Sequence, residues 1–214
     1  VIAGFSLLGI GLGVATLIIV MAVMNGFRSE LLGRVLGLNG HMNVYALQGP
    51  LTDYGALADR LRGIPGVNSV TPTVEAQALV TVRGISSGSI VRGISPEDFK
   101  VRPTVSNHIV RGTLDDFHDE NVAIGIRMAQ RLGLRVGDEL TLISPQGNPS
   151  AFGTVPRMRA YSIAAIFDVG MFEYDNNFIF MPLPAAQVFF RVPDAVTTLE
   201  LMVQQPRLIS QYRA

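Results

Sequence analysis

The sequence predicts an α+β protein in which an N-terminal transmembrane helix with a stalk precedes a two-lobed mixed α/β domain. Two observations support this fold class. All 17 basic and 17 acidic residues of the 214-residue chain follow Phe27, so the first segment carries no charge. From residue 41 onward, short stretches of alternating apolar and polar residues are interspersed with stretches of helical spacing. An uncharged membrane segment is therefore joined to a domain of ordinary composition.

The uncharged segment, residues 1–25, is long enough to cross a membrane, because about 20 apolar residues span the hydrocarbon core. A cleaved signal peptide is disfavoured, since the apolar run is long and the following MNGFRSE offers no small-residue cleavage site. Gly9 and Gly13 form a G-x-x-x-G pair, a spacing that lets another helix pack closely in lipid. The alternative is that glycine is simply frequent in membrane helices.

The helix is predicted to continue beyond the membrane as an amphipathic stalk over residues 26–38. Apolar residues recur there at intervals of three to four, with charged residues between them. The stalk is expected to end at Gly37 or at Asn39-Gly40. The apolar positions are Phe27, Leu31, Leu32, Val35 and Leu36.

The remaining chain is predicted to form two lobes. The first, residues 39–95 with a return at 193–214, begins as a strand–helix–strand–strand unit. The second, residues 96–192, is inserted into it. Alternation and turn residues predict strands at 41–47, 74–82, 89–94, 121–126, 139–144, 160–167, 177–183 and 197–203, and helices at 53–62, 126–133 and 184–190.

A long connection, residues 145–159, separates two of these strands. Its fifteen residues are rich in proline and glycine and exceed the usual two to five of a hairpin loop. Phe152, Val155 and Met158 lie in it without a period that would bury them together. Exposed apolar side chains on a loop favour a protein-binding element. The alternative is an insertion with Phe152 folded back onto the sheet.

Composition and motifs exclude several classes of function. The zero net charge argues against nucleic-acid binding, and the absence of cysteine excludes disulfides and thiolate chemistry. Metalloprotease, hydrolase and P-loop motifs do not occur. The acidic stretch 115–120 lacks the spacing of a calcium loop and is predicted to be a solvated turn. We therefore predict no catalytic residue, no metal site and no cofactor.

Three stretches carry a family resemblance: VMAVMNGFRSELLGRVLGLNGHMNV at 20–44, VAIGIRMAQRLGLRVGDELTLISP at 122–145 and FDVGMFEYDNNFIFMPLPAAQVFF at 167–190. They resemble the LolC/LolE family of bacterial lipoprotein-releasing ABC transporter permeases, which is grouped with MacB in a mechanotransmission superfamily. The resemblance implies a multi-pass inner-membrane protein whose residues after about 26 are periplasmic. The chain would be a piece of that protein, holding its first helix and most of its periplasmic domain.

The resemblance also implies partners. A separate cytoplasmic LolD-like subunit would hydrolyse ATP, and the second permease would be LolE-like or a second copy. The lipoprotein cargo would pass to the periplasmic chaperone LolA, which LolC-type members recruit through a protruding β-hairpin, here 145–160. LolE-type members lack that hairpin, so the chain resembles LolC or a merged permease. The implied chaperone-binding residues are Pro149, Phe152, Gly153, Val155, Pro156, Arg157, Met158 and Arg159.

The outer end of the membrane helix is predicted to line the lipoprotein path. Met21, Met24 and Phe27 lie there, and methionine adapts to varied apolar ligands. The alternative is that these residues face lipid or a neighbouring helix. Two other functions stay open: a MacB-like efflux permease, and a membrane-anchored sensor or scaffold of the cell envelope.

Overall fold

The computed structural model describes residues 2–150 and 153–204, and side-chain surroundings for these except at 2, 3, 5–8, 28–38, 146–150, 153 and 154. The chain divides into two compact units, Val1–Asn39 and Gly40–Ala214. The first unit is a single helix, α1, Ile2–Leu38, which covers both the predicted membrane segment and the stalk. By length and composition, Gly9–Phe27 of this helix could cross a membrane.

The second unit contains eleven strands in its described part, and each predicted strand is present. The structure adds three short strands that the alternation pattern did not reveal. The strands are β1 Met42–Val44, β2 Leu51–Thr52, β3 Val67–Val82, β4 Ile85–Ile94, β5 Ile109–Gly112, β6 Asn121–Gly125, β7 Glu139–Ser150, β8 Gly153–Phe167, β9 Phe178–Pro182, β10 Ala195–Val196 and β11 Thr198–Val203.

Short helices connect these strands, and the three predicted ones are confirmed. Ser95 accepts a hydrogen bond from the Asp98 backbone N–H and so caps one helix that the sequence reasoning had missed. The helices are α2 Tyr54–Arg62, α3 Pro96–Lys100, α4 Pro103–Ser106, α5 Ile126–Leu132, α6 Phe172–Asn177 and α7 Leu183–Phe190, with a 3-10 turn at Leu114–Asp116.

Six strands pair in a closed ring, in the order β3, β4, β9, β6, β8, β7 and back to β3. The β4–β9 and β6–β8 pairs are parallel, and the others are antiparallel. The closing contact is short: 79–81 of β3 pairs with 141–143 of β7. Closure removes the unpaired edges that an open sheet would expose.

The inward face of the ring forms the main apolar core. Period-two alternation places Val80 opposite Leu142, and both side chains are fully buried. Other core residues are Val91, Val122, Ile124, Leu140, Tyr161, Ile163, Ile179 and Met181.

Outside the ring, β11 extends the sheet along the first part of β3, and β1 pairs with β11. β1 is the first and β11 the last strand that the structure describes in this unit. The Val203 backbone N–H donates to His41 Nδ1 at 3.0 Å. This hydrogen bond therefore joins the residue just before β1 to the end of β11.

A buried group of ion pairs ties β11 to the ring. Glu200 of β11 contacts Arg102 Nη2 at 2.6 Å and Arg92 Nη1 at 3.4 Å, and all three side chains are buried. Burial alone would lower the pKa of Arg92, but Glu200 and Glu75 outweigh it and raise that pKa above its ordinary value. The charges compensate one another, as buried charges must.

The segment 145–159 is mostly strand, as expected for the β-hairpin that the family resemblance implies at 145–160, and its composition-based interpretation as a long loop was wrong. β7 continues to Ser150 and β8 begins at Gly153. Proline and glycine weaken the strand signal, but the two strands support each other through their own ladder. The division of 39–214 into two lobes stays a prediction; strands from both predicted lobes contribute to the ring.

Helix α7 packs against the ring at a glycine. A Cβ added at Gly93 of β4 would overlap the Cβ of Ala186 in α7, so glycine is what permits this close approach. Ala186 is buried at this contact. The position of α7 therefore depends on the missing side chain at Gly93.

Replacing Gly93 with alanine should push α7 away from β4 and lower the free energy of unfolding by about 1–3 kcal/mol. Denaturant unfolding followed by circular dichroism measures this. Gly88→Ala is the matched control on the same strand, because a Cβ there meets no atom within 4 Å. Equal stability of the two variants would contradict the proposed packing role of Gly93.

Candidate protein-interaction site at the hairpin

The β7–β8 hairpin has a root inside the ring and a distal part that extends from it. The root ladder runs from Glu139 paired with Ser162 to Ser144 paired with Arg157. The register then shifts, and pairing resumes at Asn148 with Val155. Three residues of β7, 145–147, thus lie opposite the single residue Pro156 of β8. This bulge marks the boundary between root and distal part, because it interrupts the ladder.

The predicted chaperone-binding residues surround this boundary. Pro149 lies in β7 and Gly153 in β8, in the distal ladder. Val155, Pro156 and Met158 are exposed, whereas Arg157 and Arg159 are half-buried. Phe152, the predicted tip residue, lies outside the described residues. The structure thus brings the described members of this group together on one hairpin.

Alternation along β8 separates two faces of the hairpin. Arg157, Arg159 and Tyr161 point to the side that continues into the core, and Tyr161 is buried. Met158 and Ala160 point to the opposite side and are exposed. Met158 therefore lies on the face opposite to the two arginines.

Arg157 is hydrogen-bonded to helix α7. Its Nη1 donates to the carbonyl oxygen of Val188 at 2.5 Å and to that of Phe189 at 3.3 Å. The last carbonyls of a helix lack partners within the helix, and a cation is favourable at that end. Arg157 thus supplies the C-terminal end of α7 with a charged donor.

Arg159 forms an ion pair with Glu120, in the turn before β6. Arg159 and Glu120 are 39% and 53% exposed, so solvent screens the pair. Such exposed pairs contribute about 0–1 kcal/mol to stability. Arg157 and Arg159 are both predicted partner contacts. The structure adds an intramolecular partner for each, the end of α7 for Arg157 and Glu120 for Arg159.

Two hydroxyl groups are buried beneath the hairpin root. Neither Ser144 Oγ nor Tyr161 Oη has a hydrogen-bond partner of normal geometry among the described residues, and Arg159 is near enough to Tyr161 Oη to act on its pKa. Burial raises the pKa of Tyr161 above its ordinary value of 10.0, against the opposing charges of Arg159 and Arg157. The Tyr161 ring also packs edge-on against Phe189 of α7, with ring centres 5.8 Å apart.

The outward face carries an apolar row that sequence reasoning missed. Leu79 of β3 lies opposite Ile143 of β7, which lies opposite Met158 of β8. Leu79 is 45% and Met158 61% exposed. An open pocket of about 510 Å³ adjoins the row and is lined in part by Ile90 and Pro145. The available signal was Leu79 itself, an apolar residue at an outward position of an alternating strand.

The acidic stretch 115–120 is a surface turn. Lys100 donates to Asp115 Oδ1 at 2.6 Å and thereby lowers the pKa of the Asp115 carboxyl. Among the described residues, no three His, Cys, Asp or Glu side chains are grouped closely enough to hold a metal ion.

In the N-terminal unit, Met21, Met24 and Phe27 are each about 60% exposed. Gly9 and Gly13 have no atoms beyond their own helix within 4 Å of an added Cβ. Both positions therefore leave room for the close approach of another helix. Their predicted roles in cargo passage and helix packing stay predictions.

The model of the MacB-like periplasmic core domain matches residues 3–214, nearly the whole chain. The chain belongs to this family. The predicted grouping with MacB is therefore confirmed, and the mixed α/β architecture is that of the family's periplasmic domain.

Relatives with about 30% identity are named as transmembrane proteins of lipoprotein-releasing systems. The chain is 30% identical over 204 residues to the lipoprotein-releasing system transmembrane protein LolC of Neisseria meningitidis serogroup B, covering 94% of this chain and 49% of that protein. It is 29% identical over 211 residues to the corresponding LolE of Haemophilus influenzae, covering 96% and 50%. The chain thus spans about half the length of these relatives.

Solved structures agree on the fold. The periplasmic region of MacB from Actinobacillus actinomycetemcomitans superposes with a TM-score of 0.52 at 12% identity, over 79% of this chain and 78% of that one. The extracellular domain of the transporter YknZ from Gram-positive bacteria gives 0.51 at 14%, over 79% and 86%. At such low identity these likenesses concern architecture alone.

Replacing Tyr161 with phenylalanine should leave stability at pH 7 unchanged or slightly higher, because the buried hydroxyl has no hydrogen-bond partner of normal geometry among the described residues. The pKa of the Tyr161 hydroxyl is raised in the folded state. As pH rises above about 10, this hydroxyl therefore loses its proton in the unfolded state before it does so in the folded state. The wild type should therefore lose stability there, and Tyr161→Phe should lose less.

Denaturant unfolding at pH 7, 10 and 11 measures the difference between the two proteins. Tyr45→Phe is the control, because Tyr45 is 61% exposed. A Tyr161→Phe variant that is clearly less stable at pH 7 would show that the hydroxyl makes a stabilising interaction.

Proposed function

We propose that this chain is part of the permease subunit of an ATP-driven transporter that extracts outer-membrane lipoproteins from the inner membrane. The observation that supports this most is the similarity to LolC-named relatives, at 30% identity over 94% of the chain. The membrane-type helix α1 supports it too, since the reaction takes place at a membrane surface. The sequence contains no P-loop, so ATP hydrolysis is assigned to a separate LolD-like cytoplasmic subunit.

The proposed complex contains a second permease, either LolE-like or a second copy of this protein. Similarity to both LolC-named and LolE-named relatives is compatible with either arrangement. The protein is placed in the inner membrane, with several spans in its full length and the domain after about residue 26 in the periplasm. It is a transport subunit rather than an enzyme.

The β7–β8 hairpin is the proposed recruitment site for the periplasmic chaperone LolA. Beyond the ring, its distal ladder is built from these two strands alone among the described residues. Val155 exposes an apolar side chain there, 55%, and Met158 exposes one on the adjoining root, 61%. Clustered exposed apolar groups at an extended hairpin suit an apolar groove on a partner. Arg157 and Arg159 would meet the rim of that groove.

The outer end of α1 is the proposed path for the acyl chains. Each buried CH₂ group contributes about 0.8 kcal/mol to the binding of an acyl chain in the bilayer. Release of a triacylated protein therefore needs an apolar route as well as ATP. Met21, Met24 and Phe27 expose large apolar side chains on this helix. Gly9 and Gly13 would let a neighbouring membrane helix pack against its other end.

A MacB-like efflux permease is the second candidate, because the fold matches the MacB periplasmic region. That function predicts an outer-membrane-channel partner and no chaperone at the hairpin. A membrane-anchored sensor or scaffold is the third candidate, and it predicts neither partner. Binding of LolA therefore separates the first candidate from the other two.

Purified residues 39–214 should capture LolA in a pull-down, and Phe152→Ala combined with Arg159→Glu should reduce capture at least about tenfold, because a hot-spot side chain and a rim charge are lost. Val101→Glu is the control, since Val101 is an exposed apolar residue directly after α3 and is not part of the hairpin. Equal capture by the double variant and the wild type would remove the hairpin from the proposed site.

A photo-crosslinking amino acid at Met24 should capture lipoprotein in membranes that contain the assembled, ATP-supplied transporter. The same probe at Ile10, also exposed on α1, is the control at the other end of the predicted span. Mass spectrometry of the adducts identifies the partner. Absence of a lipoprotein adduct at Met24 in a transporter that still releases lipoprotein would count against the proposed path.

A further inference from the structure

The two parts of the hairpin are supported very differently. The root belongs to the closed ring, where β7 pairs with β3 as well as with β8. The distal part is connected to it through a bulge that holds Pro145 and Gly147 opposite Pro156. Proline donates no backbone hydrogen bond, so the ladder is weakest at this boundary. The direction of the distal part must therefore be determined by contacts close to the bulge.

Arg157 occupies the place where such a contact is needed. It is the β8 residue next to the bulge on the root side, and it pairs with Ser144. Its guanidinium reaches the carbonyl oxygens of Val188 and Phe189 at the end of α7. The carbonyl of Gln187 in the same turn already accepts the Val192 backbone N–H. Arg157 thus completes the C-terminal end of α7 and joins it to the hairpin.

Helix α7 is itself held in place by close packing on the ring. Ala186 packs on Gly93 without space for a further carbon atom, and Phe189 is buried against Tyr161. The Tyr161–Phe189 contact and the Arg157 hydrogen bonds join the same two elements, β8 and α7, on the same face of β8. One contact lies in the core and the other lies next to the bulge. Together they define both position and direction of β8.

We propose that Arg157 is a positioning residue, which holds the distal hairpin in one orientation by binding the C-terminal carbonyls of α7 and so prepares it for its partner. A binding element that is already ordered loses less conformational freedom on association, which strengthens binding. This inference rests on the proposed function, because the partner is the chaperone recruited by the hairpin. It differs from the rim-contact role, in which the Arg157 guanidinium would bind the partner itself.

Arg159 provides the internal comparison. It lies two residues further into the root, on the same face, and its partner Glu120 belongs to a surface turn. That ion pair is about half-exposed and joins β8 to a segment beside the ring rather than to α7. Loss of the Arg159 charge should therefore change the hairpin orientation much less than loss of the Arg157 charge.

The orientation can be measured with two spin labels, because the chain contains no native cysteine. Val155→Cys places one label on the distal hairpin, and Val101→Cys places the other after α3; both sites are exposed. Double electron–electron resonance on the 214-residue chain in lipid nanodiscs gives the distance distribution. We expect one narrow peak with Arg157, a clearly broader distribution in Arg157→Met, and a narrow peak again in Arg157→Lys and Arg159→Met.

The same four proteins without labels are then titrated with LolA. Arg157→Met should bind about tenfold more weakly, with most of the loss recovered in Arg157→Lys, since lysine can still donate to the carbonyls. Arg157→Gln serves in place of Arg157→Met if the methionine variant does not fold. Thermal unfolding of each protein shows whether the second unit stays folded.

An unchanged distance distribution in Arg157→Met would overturn the inference, and weaker binding with that result would identify Arg157 as a direct contact. A broader distribution with unchanged binding would also overturn it, because orientation would then not matter for recruitment. If the wild type fails to bind LolA, the proposed function fails, and the distance distribution alone still decides whether Arg157 fixes the hairpin.

Discussion

The domain depends on a short ladder between β3 and β7, in which 79–81 pairs with 141–143. These three pairs close the ring, and closure has two effects. It buries Val80 and Leu142 on the inside, and it builds the root of the hairpin into the wall of the ring. Without them, β7 would be an edge strand with β8 as its one neighbour. The site at the hairpin is thus a direct product of the way in which the core is closed.

Much of the fold could be predicted because alternation reports which face of a strand is buried. Val80 and Leu142 were recognisable in this way. Alternation does not report which strands are neighbours, however, so the parallel β4–β9 and β6–β8 pairs and the ring itself could not be foreseen. Composition alone predicted a long loop at 145–159 for another reason. Proline and glycine around the bulge concealed a ladder that resumes at Asn148 and Val155.

The candidate site was predictable in its location but not in its internal contacts. Proline, glycine and exposed apolar residues identified the segment, and the family resemblance supplied its proposed partner. A basic residue near a loop has the same appearance in the sequence whether it binds a partner or the end of its own helix. Only the structure shows that Arg157 reaches the carbonyls of Val188 and Phe189. Leu79 was overlooked because its strand was interpreted from its inward residues alone.

The contact between His41 and Val203 has a mechanical consequence. His41 lies directly before β1 and Val203 ends β11, and the two strands pair immediately beyond this contact. Neither strand can therefore separate from the domain without breaking a contact to the other. Glu200 of β11 in turn joins this corner to Arg92 in the ring and to Arg102 beside it. The first and last described strands should thus unfold together, because loss of β11 removes both the partner of β1 and the buried carboxylate of Glu200.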